Sequence, residues 1–210
     1  MTSLHHPSAA SRANLRLHGR RVMLRPLALT DFARYRDVRL RNEDWLVPWE
    51  PSRLALSADP ARDQNAFSAR CAIREKERQS GTAYGLGLFV GEALVGEVNL
   101  NGVQRGAVQS GTLGYWIDRG HAGHGYVAEG VVALARFAFE DLNLHRLEIC
   151  IIPRNTNSRR VMEKLEFRHE GVAVRYLEIN GAWEDHVRYG VTLEEWLERR
   201  ADLARDWLTP

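Results

Sequence analysis

Two cysteines in 210 residues, Cys71 and Cys150, are too few and too weakly patterned for a disulfide framework or a metal site. Both are expected to be reduced core thiols. No H-E-x-x-H or C-x-x-C pairing occurs, and His121 and His124, which flank one turn, make a poor metal site by themselves. No metal is expected. The chain has no secretory apolar segment and no apolar run of about 18 residues, so a soluble cytoplasmic protein with no membrane contact is the expectation. It also lacks an excess of one charge. Its 29 basic residues face 27 acidic ones, so nothing in the whole-chain balance points to direct nucleic-acid binding. The local exception is residues 12 to 41, which hold nine arginines against Asp31 and Asp37; that is a solvated surface or a contact for an acidic partner or RNA. No internal repeat or low-complexity segment is present.

What is there suits one well-buried domain, with 44% hydrophobic residues. Residues 1–13 are polar and unpatterned, a flexible N-terminus, and 14–210 form the domain. Leu15, Leu17, Val22 and Leu24 alternate as a strand pair. Thr30 is a plausible N-cap for a helix from Asp31 to about Leu40. A loop with Trp45 and Trp49 follows, and Asp59-Pro60 marks another helix start, running to about Gln79. From Ala83 the period changes to two, so 83–90, 93–103 and 110–118 read as an antiparallel meander. A strand at 145–152 ends at Pro153, and a helix opens around Arg154 to Ser158, with Asn or Ser capping. A terminal hairpin turns at Asn180-Gly181, and Thr192-x-x-Glu195 is a capping box for a last helix.

The chain is organised around residues 114 to 130. A short strand ends at Ile117, a turn carries Gly120, Gly123 and Gly125, and Val127, Val131, Leu134, Ala138 and Leu142 recur at helical spacing. Strand, helix and the strand at 145–152 make one βαβ unit, so the two strands should be parallel neighbours. A helix N-terminus carries roughly half a positive charge and unpaired N–H groups, and glycines let phosphate oxygens approach them. An ordinary glycine-rich connection fits the same residues. No Gly-Lys-Ser/Thr ends the turn, so it is not a Walker loop. Gly123-x-Gly125-x-x-Ala128 also fits a dinucleotide fingerprint, but such a fingerprint follows the first strand of a parallel fold, whereas this turn ends a run of hairpin-linked strands.

Gly114-Tyr-Trp-Ile117, Gly123-His-Gly-Tyr-Val-Ala-Glu129 and Asn155-Thr-Asn-Ser-Arg-Arg-Val-Met-Glu-Lys-Leu-Glu-Phe167 together resemble the GNAT superfamily of acyl-CoA-dependent N-acetyltransferases. The likeness is closer to its ribosomal-protein N-acetyltransferases of RimJ and RimL type, and it covers about residues 20 to 192. Two departures stand out. The family loop Gln/Arg-x-x-Gly-x-Gly/Ala matches Ala122 to Val127 with both outer positions changed, and the usual glycine before Phe167 is Glu166.

The resemblance implies a single α/β (α+β) GNAT fold: a mixed, mostly antiparallel twisted sheet flanked by helices, with a central splayed parallel strand pair. It implies acetyl-CoA between those strands, with pantetheine along the backbone of Trp116, Ile117 and Asp118. The pyrophosphate would rest on Ala122, Gly123, His124, Gly125, Tyr126, Val127 and Ala128, with Asn155 and Ser158 toward the pantetheine arm and the sulfur. Ser158 matches the general-acid position of the RimL type, and Tyr115 could donate in its place. The position of that type's base is Leu177; Glu178 beside it and Glu97 on the meander are the candidates left. Glu129 suits the positive end of the helix and needs no catalytic role. Trp45 and Trp49 suit core filler or the lining of a substrate groove, and with Tyr176 they are the residues expected to line the acceptor pocket. The implied reaction is acetyl transfer to an amine, the N-terminal α-amine of a protein such as a ribosomal protein. A small-molecule amine, or an acyl-CoA-binding sensor without transfer, stays open, as does monomer or homodimer.

Overall fold

The computed structural model describes residues 14–52 and 57–208; the flexible segment expected at 1–13 lies outside them. Strands β1 (Leu17–His18), β2 (Val22–Arg25), β3 (Tyr84–Val90), β4 (Ala93–Gln104), β5 (Ser110–Ile117), β6 (Arg146–Ile151), β7 (Arg168–Ile179) and β8 (Ala182–Thr192) form one sheet. Their order is β1-β2-β3-β4-β5-β6-β8-β7. Every neighbouring pair is antiparallel except β5 and β6, which run parallel as the βαβ pattern requires.

Five helices cover the sheet: α1 (Phe32–Arg41), α2 (Gln64–Ser80), α3 (Tyr126–Arg136), α4 (Thr156–Lys164) and α5 (Leu193–Trp207), with a single helical turn at Glu43–Leu46. Tyr35 and Val38 of α1 and Phe67 of α2 pack with Phe89, Leu94 and Trp116 in one cluster. The larger cluster joins α3, α4 and α5 to the sheet through Val131, Leu134, Met162 and Trp196. Val127, Val131, Leu134, Ala138 and Leu142 are all buried, as their spacing predicts. Each such Val or Leu contributes about 1.5–3 kcal/mol on leaving water. Because α3 is apolar nearly all round, it is the helix at the centre of the domain. Its expected continuation to Leu142 widens at Phe137–Asp141 into a π turn, with Leu142 N–H donating to Phe137 O.

Two helix starts differ from expectation, and only the second moves to a carboxylate that catches free helical N–H groups. Asp31, not Thr30, precedes α1 and accepts from Ala28 N. Asp63 caps α2 by accepting from Asn65 N and Ala66 N, which leaves Asp59-Pro60 in the preceding turn. Thr192 and Glu195 form the expected box at α5. Glu166 adopts φ 51°, the left-handed conformation that a glycine fills without strain. Arg199 holds it there, through Glu166 O at 3.2 Å and the carboxylate at 2.9 Å.

Candidate active site

The parallel pairing of β5 and β6 is short. It runs from Ser110 opposite Arg146 to Leu113 opposite Ile149, and β5 then continues to Ile117 without β6 beside it. A cavity of about 830 Å³ adjoins that stretch. Its lining comes from β4 (Asn99), β5 (114–117), the turn and first residues of α3 (121–123 and 125–128), one face of α4 and its cap (155, 157, 158, 160, 161 and 164), and the segment from Trp45 to Pro51.

The peptide groups of β5 alternate between its two edges. Asp118 N–H donates to Val95 O, and Trp116 O lies so near β4 that a Cβ on Gly96 would come within 2.2 Å of it. Trp116 and the Asp118 N–H are therefore spent on β4, and Asp118 O accepts from His121 N, contrary to the expectation that this whole run faces a ligand. Alternation turns Tyr115 and Ile117 to the open edge. Ile117 O there accepts from Trp45 Nε1 at 3.0 Å, which fixes that indole against the strand.

Past Ile117 the chain hangs from a buried polar knot. Asp118 accepts from Arg41 Nη2 (2.6 Å), Asn42 Nδ2 (2.7 Å) and Gly120 N (3.3 Å), and its carboxylate lies 2.9 Å from His121 Nδ1. Burial pushes this carboxyl's pKa up, but the bonds from Arg41, Asn42 and His121 outweigh it and hold the group well below the usual range. Asn42 Oδ1 also accepts from Arg119 N at 2.8 Å. The turn that follows is thus anchored before it reaches Gly123 and Gly125, with φ 82° and 84°. Gly125 occupies the N-cap of α3 and has no side chain to bond the first N–H groups there. A Cβ on Gly125 would sit 3.4 Å from Trp207 Cζ3 and 3.5 Å from Arg21 Nη2.

Cations gather round this turn. Arg21 Nε donates to Glu129 Oε1 at 2.7 Å and Arg21 N to Glu129 Oε2 at 2.8 Å, while Nη2 reaches His124 O at 2.9 Å. Glu129 therefore ties the β1–β2 turn to α3. Arg160, Lys164 and His121 line the cavity itself. Open backbone donors at a helix N-terminus, glycines in place of Cβ atoms and the cationic side chains of Arg160 and Lys164 fit the phosphates of a CoA thioester.

Across the cavity, Ser158 Oγ donates to Tyr115 OH at 3.0 Å, and Tyr115 OH donates to Ser158 O at 3.1 Å. Burial raises the Tyr115 pKa above its ordinary 10.0, against the opposing pull of Ser158, so the hydroxyl keeps its proton. Asn155 caps α4, its Oδ1 accepting from Ser158 N at 3.1 Å. At the far end Arg39 clamps both oxygens of Glu50 at 2.6 Å and lies over the Trp116 ring, and Arg154 lies over Trp49.

Of the residues singled out in the sequence, Trp45, Trp49, Tyr115, Trp116, Ile117, Ala122, Gly123, Gly125, Tyr126, Val127, Ala128, Asn155 and Ser158 line the one cavity. Others do not. The His124 side chain turns back to Ala122 O and stacks on Tyr126. Glu97 is buried under Arg70 at 2.7 and 2.8 Å and Trp116 Nε1 at 2.9 Å, away from the cavity. Glu178 and Tyr176 are exposed on β7, the latter edge-on to His186. Sequence reasoning passed over Asn42, Glu50, Arg160 and Lys164. The last two carried a signal, because 157, 160, 161 and 164 fall on one helical face with Ser158.

The acetyltransferase (GNAT) domain family matches residues 21–168. The ribosomal protein uS5-alanine N-acetyltransferase of Escherichia coli (strain K12) is 30% identical over 188 residues, 89% of this chain and 95% of that protein. "Probable N-acetyltransferase YjcK" of Bacillus subtilis (strain 168) is 34% identical over 172 residues, 81% of this chain and 93% of its own length. Among solved structures, Mycobacterium smegmatis RimJ in complex with CoA-disulfide superposes with a TM-score of 0.82 at 29% identity, covering 92% of this chain and 93% of that one. No group of three metal-ligating side chains and no helix long and apolar enough to cross a membrane occurs among the described residues. The chain belongs to the GNAT acetyltransferase family and is an acetyl-CoA-dependent N-acetyltransferase.

Proposed function

We propose that the acceptor is the N-terminal α-amine of a protein, a ribosomal protein as in the uS5-alanine and RimJ relatives, and that the reaction runs in the cytoplasm. The observation that carries this reading is one continuous cavity, cationic at the glycine turn and walled by Trp45, Trp49 and Glu50 at its other end. The two ends suit two different reactants.

Acetyl-CoA supplies an activated acetyl group and a thiolate leaving group. The chain's own residues bind and orient it. The Gly123 to Ala128 turn takes the pyrophosphate on backbone N–H groups, with Arg160 and Lys164 as counter-charges. The open β5 edge at Tyr115 and Ile117 receives the pantetheine amides. Tyr115 and Ser158 form the hydroxyl pair that protonates the departing sulfur, and burial keeps Tyr115 in the donor form. An α-amine has a pKa of about 7.7–8.0 against about 10.4 for lysine, so attack near pH 7 demands no strong base. That agrees with the placing of Glu97 and Glu178 away from the cavity.

The test is free-thiol release from acetyl-CoA with N-terminal peptides, α-blocked lysine peptides and small amines. Release that depends on a free peptide α-amine is the expected result. Release with small amines alone would overturn the protein acceptor.

A further inference from the structure

Charge is divided along the cavity. Arg160 and Lys164 lie toward the glycine turn, and among the described lining residues Glu50 is the only carboxylate. It stands between Trp49 and Pro51, where the acceptor must enter if acetyl-CoA occupies the glycine turn and the β5 edge.

Glu50 is both held and accessible. Arg39 bonds each oxygen once at 2.6 Å, and 31% of the Glu50 side chain is still exposed. A carboxylate offers about four lone-pair sites, so further donors can bind. The backbone is fixed as well, because Asn180 N–H at the tip of the β7–β8 hairpin donates to Glu50 O at 3.0 Å. Arg39 in turn lies over Trp116, whose Nε1 bonds Glu97. The carboxylate is therefore preorganised by α1, by the sheet and by the terminal hairpin together, the support that a recognition group requires.

Resting on the amine-acceptor reading above, we infer that Glu50 binds the acceptor's ammonium group and aims its nitrogen into the cavity. The group arrives with three N–H donors and a positive charge, and both are matched by the carboxylate oxygens that Arg39 leaves open. Glu50 selects and orients the acceptor. In the transfer itself the bound ammonium first gives one proton to water, the freed lone pair forms the N–C bond as the C–S bond breaks, the sulfur takes its proton from the Tyr115 and Ser158 pair, and the second amine proton leaves to water, from which the pair is reprotonated.

The experiment compares wild type, Glu50→Gln and Arg39→Gln in two assays. The first is thiol release with a peptide acceptor. The second is calorimetric binding of that peptide against an analogue whose α-amine is replaced by hydroxyl. Glu50→Gln should raise KM for the peptide by about tenfold or more, with acetyl-CoA affinity within about twofold, and should lose the preference for ammonium over hydroxyl. Arg39→Gln removes the same ion pair but leaves the carboxylate, so the preference should persist. A Glu50→Gln protein that keeps the preference, or an Arg39→Gln protein that loses it equally, overturns the inference and makes the pair structural. Wild type active only on a small amine would overturn the protein acceptor alone, and the same comparison then runs with that amine and its hydroxyl analogue. Wild type active on no amine overturns both.

Discussion

At the glycine end of the cavity the groups on offer are mainly backbone ones, and nearly all of them come from one run of chain, residues 115 to 128. At the tryptophan end, side chains from α1, the 45–51 segment and Arg154 converge from places far apart in sequence, with the backbone N–H of Asn180 at the hairpin tip fixing Glu50. The first arrangement suits an invariant reactant, because peptide N–H groups and a helix terminus recognise phosphate whatever the side chains are. The second suits a reactant that differs between enzymes, since a side chain can change while the peptide frame stays.

That contrast can be broken. The largest effect should come from the hydroxyl pair where the two ends meet. Tyr115→Phe should lower kcat about 10²-fold with acetyl-CoA affinity unchanged; if Ser158→Ala does so instead, Ser158 is the group that reaches the sulfur. The pH profile sharpens this. Because the Tyr115 pKa is raised above 10.0, its proton is retained while the acceptor amine deprotonates. The rate should rise through about pH 8 and stay level to about pH 9.5. A fall between those values would remove Tyr115 as the donor.

Next in size, Gly125→Val should weaken acetyl-CoA binding by about tenfold or more, because a β-branched residue resists φ near 84° and its side chain crowds Trp207 and Arg21. Calorimetric titration reads it, and unchanged affinity would mean that the phosphates lie elsewhere. Asn42→Ala tests whether the glycine end is as local as it looks. It removes the acceptor for Arg119 N and a donor to buried Asp118, so stability should drop by about 1–3 kcal/mol in denaturant titration. Acetyl-CoA affinity should fall only about threefold. Smallest of all, Glu178→Gln should change turnover less than about twofold, as expected of an exposed carboxylate outside the cavity. A large loss would bring the hairpin into the chemistry.

Much of the fold was legible because its signals are local. The spacing of Val127, Val131 and Leu134, the Thr192 and Glu195 box and the single βαβ unit each lie within a short stretch of chain. The turn at Gly123 and Gly125 was legible for the same reason. The edge that each β5 peptide faces was not, because it depends on the register set against β4, and that register gives Trp116 and Asp118 to the sheet. The carboxylates were harder still. Glu97 sits on a strand where alternation suggests either face, and only the approach of Arg70 and Trp116 shows that it is already engaged. Glu50 has no local pattern; its place is made by Arg39 eleven residues earlier and by Asn180 far along the chain. Asp59-Pro60 looked like a helix start because it has the right residue types, yet Asp63 lies where the free N–H groups are.

The early parting of β5 and β6 also leaves a rhythm in time. Along residues 114 to 118, Trp116 and Asp118 amides turn into the β4 ladder, while those of Tyr115 and Ile117 turn toward the gap. In deuterated water, amides in this single strand should exchange in alternation, slow and fast at every second residue. Filling the gap with acetyl-CoA should slow the fast set and leave the slow set nearly as it was, so one strand records on one edge the stability of the sheet and on the other the occupancy of the site.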